Sequence, residues 1–184
     1  MGRVCFGGAV IVLYDDDEWQ RKLDETRMVP QLFSYEREGK HPSPIVREGW
    51  KRLRTGNYAE AEQILRKSLA EDGSYSSAWQ YFGEALEELE RYEEAEEALK
   101  KAIECDPFNK EAMTILFNML TRLEKWSDVI AVGLQVVNVD PGSPLVWETL
   151  SIVYSKLGDD EKSSVCRSRS DKLVEMTLRG LGRS

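Results

Sequence analysis

The sequence predicts an all-α fold, an array of stacked helix-turn-helix hairpins, on three observations. These are a recurrence every 34 residues, apolar residues at helical spacing inside each recurring unit, and helix breakers at the joints. Gly49 and Gly83 are 34 positions apart, as are Tyr58 and Tyr92, Ala61 and Ala95, and Leu65 and Leu99. The offset continues from Tyr92 to Trp126, from Leu99 to Gly133, and from Asp106-Pro107 to Asp140-Pro141. A fixed period of this length means one supersecondary unit repeated, each copy burying an apolar face against the next.

Residues 1–41 precede the repeats. The apolar run from Val4 to Tyr14, which includes Gly7 and Gly8, is far shorter than the ~20 residues that cross a bilayer. Acidic Asp15 to Glu18 follow it with no A-x-A-like site, which opposes a signal peptide. Phe6 stands where a myristoylation motif needs Ser or Thr. Ala9 to Tyr14 has strong β propensity. With Asp15-Asp16-Asp17 it resembles the first strand and acidic corner of a response-regulator receiver domain, where such aspartates hold Mg²⁺. The segment has no room for that domain's other strands and helices. The expectation is therefore an amphipathic helix from about Asp17 to Phe33 that caps the first repeat, with the apolar tail over the array's open end. His41, the sole histidine, lies in a Gly-Lys-His-Pro-Ser-Pro connector.

Four hairpins are expected over about 42–75, 76–109, 110–143 and 144–177, with a tail at 178–184. Trp79, Phe82 and Leu86 form one apolar stripe of the second unit, and Tyr92, Ala95, Leu99 and Ala102 the next. Gly56 and Gly158 fall between the two helices of their units, whereas Gly73, Pro107 and Pro141 fall between units. Asn57 with Glu60, Ser76, Asn109, and Ser143 before Pro144 read as helix starts. Glu87/Arg91, Glu96/Lys100 and Glu97/Lys101 read as exposed i,i+4 pairs.

Trp79, Phe82-Gly83, Ala95, Leu99, Ala102 and Pro107 resemble the signature of the tetratricopeptide repeat, a family of ~34-residue helical hairpins. The resemblance implies a right-handed array of hairpins, with an N-terminal capping segment and a C-terminal capping helix. In the third unit Phe117 replaces the small glycine, Val129 replaces the alanine, and Gly133 stands where Leu65 and Leu99 stand, a large-for-small exchange. In the fourth, Ser163, Ser164, Arg167 and Ser170 occupy sites that would face a further repeat, as a wet terminal cap requires.

The resemblance further implies that the first helices line a concave surface where a peptide or partner protein binds. On that surface the expected residues are Val46, Arg47, Trp50 and Arg54, then Gln80, Tyr81 and Glu84, then Thr114, Ile115, Asn118 and Arg122. Glu148, Thr149, Ile152 and Lys156 complete the set. Mixed apolar and charged positions suit a peptide groove with aromatic anchors. The competing reading packs Trp50 and Tyr81 against the neighbouring hairpin or the N-terminal segment. One branch of the family clamps a chaperone's C-terminal carboxylate with Lys, Arg and Asn. Val46, Trp50, Tyr81, Glu111 and Ile115 occupy those places here, so that clamp is absent.

Composition bounds the function. The 184 residues carry a net charge of −8 and a pI near 4.9, which opposes binding to a phosphate backbone. Cys5, Cys105 and Cys166 form no CxxC pair and read as reduced thiols packed as small hydrophobes, in a cytoplasmic setting. Carboxylates on repeat helices have no apolar pocket to raise a pKa, Gly7-Gly8 lacks the lysine of a P-loop, and His41 has no ligand partners at metal spacing. The expectation is a protein-interaction scaffold with no catalytic residue, cofactor or metal, no nucleic-acid partner and no membrane insertion. Self-association through the N-terminal segment or the array ends is the alternative. A signalling fragment with a metal site at Asp15 to Asp17 comes last.

Overall fold

A computed structural model describes residues 3–6, 9–12, 21 and 43–181. Strands β1 (Arg3–Phe6) and β2 (Ala9–Val12) pair antiparallel, with Val4 opposite Ile11 and Cys5 opposite Val10. A receiver domain would begin a parallel sheet, so this hairpin departs from that resemblance. Asp15 to Asp17, His41 and, apart from helical Arg21, the helix expected over residues 17–33 lie outside the described residues.

Eight helices follow among the described residues. They are α1 (Pro44–Arg54), α2 (Tyr58–Glu71), α3 (Ser76–Glu88), α4 (Tyr92–Cys105), α5 (Lys110–Arg122), α6 (Trp126–Val139), α7 (Pro144–Lys156) and α8 (Asp160–Leu181). The chain divides into two compact units, one of Gln31–Met119 and one that includes Leu120–Ser184.

In the first unit, α1 packs on α2, α2 on α3 and α3 on α4. Small residues decide how closely each hairpin closes. A Cβ on Gly49 would lie 2.6 Å from Leu65 Cγ, and one on Gly83 would lie 2.7 Å from Leu99 Cγ and 3.3 Å from the Ala95 carbonyl. Leu65, Leu99, Ala61 and Ala95 are wholly buried in these seams, and each buried leucine contributes about 1.5–3 kcal/mol. A buried polar link ties the second hairpin to α5. Ser76 Oγ donates to the Ala102 carbonyl and accepts from Asn109 Nδ2, both at 2.8 Å, while Asn109 Oδ1 caps α5 through the Ala112 amide at 2.9 Å.

The capping expectations divide. Ser43 accepts from the Val46 amide at α1, and Asn109 caps α5. Asn57 and Ser143 hold N-cap positions without a capping side-chain bond, the Asn57 amide donating to Thr55 Oγ1 instead, and Ser76 is already inside α3, its hydroxyl drawn to Ala102. Of the three expected pairs, Lys100 meets Glu96 at 2.5 Å. Arg91 reaches Glu94 and Glu62 instead, and Lys101 lies over the Trp79 ring.

In the second unit α6 packs on α7 and α7 on α8. The polar face of α8 turns inward more than its composition suggested. Ser163 Oγ lies 3.2 Å from Ser151 Oγ, and the nearly buried Ser170 donates to the Pro144 carbonyl. These two serines therefore grip α7 and do not form an outward wet face; Ser164 and Arg167 are the exposed members. Cys166, Arg169 and Leu173 complete the buried stripe, with the Arg169 guanidinium 4.8 Å from the Trp147 ring centroid. Cys105, by contrast, is exposed and not packed as a hydrophobe. In the third hairpin Phe117 and Gly133 are each buried.

Candidate functional site

The first helix of each hairpin offers one outward strip. On α1, Arg47, Trp50, Lys51 and Arg54 are exposed, at spacings i, i+3, i+4 and i+7 that share a face. The opposite side of α1 carries Val46, Gly49 and Leu53, all buried against the hairpin. Val46, expected on the lining, is wholly buried and belongs to this core. Trp50 keeps 42% of its surface exposed, so the neighbouring hairpin does not bury it; most of the N-terminal segment, the other packing partner expected for it, lies outside the described residues.

Helix α3 lies beside α1 and contributes Gln80, Tyr81 and Glu84, each partly exposed. A charged cluster forms where the two helices end. Partial burial and the neighbouring Glu88 raise the Glu84 carboxyl above the usual carboxylate range, with Arg54 opposing them. The charge of Glu88 raises the Tyr58 phenol, at the start of α2, above its ordinary range; burial adds to the effect, as does the bond the Tyr58 hydroxyl donates to Glu88. Sequence reasoning placed Arg54 and Glu84 on the strip but missed Tyr58 and Glu88, because Tyr58 read as a hairpin-packing position repeated at Tyr92.

On α5, Thr114 is partly exposed but spends its hydroxyl on the Lys110 carbonyl at 2.8 Å, and Asn118 is exposed. In the second unit Arg122 ends α5 exposed, and α7 presents exposed Glu148 and Ile152. Ile152 shows 45% of its surface, and Leu145, on the same face and not anticipated, shows 64%. Thr149 turns its hydroxyl to the Leu145 carbonyl, and Lys156 lies over Trp126 at 4.4 Å. The structure thus brings Arg47, Trp50, Arg54, Gln80, Tyr81 and Glu84 together on two adjacent helices, and sets Arg122, Glu148 and Ile152 on the surface of the other unit.

Among the described residues no three or more His, Cys, Asp or Glu side chains are grouped to hold a metal, and no helix is long and apolar enough to cross a membrane. The groove between α2 and α4 is lined by Leu69, Trp79, Phe82 and Ala98, with Arg66 and Lys101 at its edge, and holds about 360 Å³. Arg66 sits 5.2 Å from the Phe82 centroid and Lys101 4.6 Å from that of Trp79.

Comparison with known proteins agrees with this architecture. Residues 52–116 match the tetratricopeptide-repeat family. A crystal structure of MamA is 16% identical with a TM-score of 0.68, over 73% of this chain and 79% of that one. Another MamA structure is 18% identical at a TM-score of 0.65, over 88% and 94%. The Phagocyte signaling-impaired protein of Drosophila pseudoobscura pseudoobscura is 25% identical over 149 residues, which is 76% of this chain but only 16% of that protein's length. With the 34-residue period, the close-packed glycine seams and the matched segment in place, residues 52–116 form tetratricopeptide repeats, and the described helices share the fold of such an array.

Proposed function

We propose that this protein holds a peptide or partner protein on the outward strips of its first helices and catalyses no reaction. The fold supports a protein-interaction or scaffold role. The observation that carries the specific reading is Trp50, left 42% exposed between Arg47 and Arg54 on a helix whose other side is fully packed. Exposed aromatics flanked by arginines are the residue types that dominate binding energy at interfaces. Glu84 adds to this, since a carboxylate held above its ordinary pKa beside Glu88 is a local cost that a backbone amide donor of a bound peptide would relieve.

The test is photocrosslinking in lysate with a benzoyl-phenylalanine placed at Trp50, compared with one at exposed Lys100 on α4. Crosslinks at position 50 that vanish in a Tyr81→Ala background, with helicity retained, are the expected result. Equal crosslinking at both positions would move the binding face elsewhere.

A second reading has its own observation. On α8, Val174 and Leu178 are 45% and 63% exposed, one turn apart, and such a strip can join copies of the chain. Light scattering of the wild type beside Val174→Lys/Leu178→Lys decides it: an oligomer that becomes a monomer supports self-association, and a monomer in both removes it.

A further inference from the structure

The charge partners of the arginines divide the first unit into two kinds of surface. Arg52 meets Glu48 and Glu60, Arg66 meets Glu62 and Glu94, and Arg91 meets Glu62 and Glu94. Neither Arg47 nor Arg54 forms an ion pair with a described residue; Arg54 acts on Glu84 only through its field. Helix α1 carries four cations, Arg47, Lys51, Arg52 and Arg54, against the single carboxylate Glu48. Lys51 reaches Glu48 at 4.0 Å, so Arg47 and Arg54, on either side of an exposed tryptophan, are the exception among the described arginines of this unit, in a chain of net charge −8.

We infer that the α1 strip takes an acidic linear peptide of a partner protein, with carboxylates on Arg47 and Arg54 and an apolar side chain over Trp50. This rests on the peptide-binding reading above and adds the chemistry of the occupant. The two guanidiniums are seven residues apart, two helical turns or about 10.5 Å along the axis. An extended peptide advances about 3.4 Å per residue, so carboxylates three residues apart span that distance and leave two positions between them to cover the indole. Guanidinium forks suit carboxylates in two-point contacts.

The probe is the synthetic peptide Gly-Ser-Glu-Leu-Phe-Glu-Ser-Gly, titrated into the ¹⁵N-labelled full chain and followed by amide shifts. Controls replace both Glu with Gln or with Lys. The expected result is saturable shifts over residues 47–54 with the Glu peptide, weakened by salt, and absent with the Lys peptide. Charge reversal, Arg47→Glu/Arg54→Glu, weakens binding about tenfold, as two exposed ion pairs allow. Indifference to peptide charge, or absence of binding, overturns the assignment. If the partner still crosslinks at position 50 in the charge-reversed protein, the peptide-binding reading stands and this inference falls. If Asp15→Asn/Asp16→Asn/Asp17→Asn tightens the peptide, the chain's own acidic run competes for the strip, and assignment to a partner protein is overturned.

Discussion

Gly56, Glu90, Glu124 and Gly158 lie at successive 34-residue steps, and all four have positive φ, between 56° and 78°. The turn between the helices of every hairpin thus demands a left-handed residue, and two hairpins meet that demand with glutamate. A left-handed L-residue costs roughly 1–2 kcal/mol, partly offset by the smaller entropy it loses on folding compared with glycine. Glu90→Gly and Glu124→Gly should each therefore stabilise the fold by about 0.5–1 kcal/mol, read from urea unfolding midpoints. Gly83→Ala acts in the opposite direction. Its Cβ would meet Leu99 and the Ala95 backbone, and the crowding should cost about 1–3 kcal/mol despite alanine's better helix propensity. Asn109→Ala should cost about 1–2 kcal/mol, because it removes a cap and strands the partners of a buried network. Glu84 carries a pH prediction. Its folded pKa is raised, so its charged form opposes folding at neutral pH, and that penalty fades as pH falls through the folded pKa towards the unfolded one. Glu84→Gln should raise the melting temperature at pH 7, with the gain disappearing below about pH 4; a lower melting temperature at pH 7 would contradict the cluster's electrostatics.

At the scale of elements, the hairpins were legible in the sequence because the features that build them are residue types at a fixed period. Gly83 against Leu99 is a steric requirement that only a small residue meets, and it repeats at Gly49 against Leu65. Other periodic features were not legible because different residues satisfy one physical need. Lys101 over Trp79 recurs 68 positions later as Arg169 over Trp147, with each indole donating to a backbone carbonyl, Gly73 or Pro141. Cation and ring geometry are kept while the sequence changes. Asp72, Asp106 and Asp140 likewise each accept from the amide two residues on, although proline follows only the last two. The polar appearance of α8 hid its packing, since serines and an arginine carry contacts that leucines carry elsewhere. Burial of Cys166 in this helix pushes its thiol up to about 11. Iodoacetamide at pH 8 should therefore label exposed Cys105 well before Cys166, as read by mass spectrometry. Equal rates would mean that α8 is not docked on α7. On the candidate face the outward strip of α1 was legible from helical spacing. Thr114 and Thr149 were not, because a hydroxyl's choice between its own helix backbone and a ligand leaves no trace in the pattern.

For the whole molecule, repeat architecture makes stability a sum over hairpins and their neighbours, and leaves outward strips free to vary without disturbing the seams. The fold alone does not name a partner; the account assigns binding to Arg47, Trp50, Arg54, Gln80, Tyr81 and Glu84, with Thr114, Asn118, Arg122, Glu148 and Ile152 as the corresponding positions on later helices. These substitutions should separate from those in the seams: Trp50→Ala should leave the melting temperature nearly unchanged while Gly83→Ala lowers it. The measurement that tests the central claim most directly is site-specific photocrosslinking to a partner at position 50 against position 100, in chains with full helicity. The account predicts adducts at 50 and none at 100. Adducts at 100 alone would place binding on the second helices and contradict it.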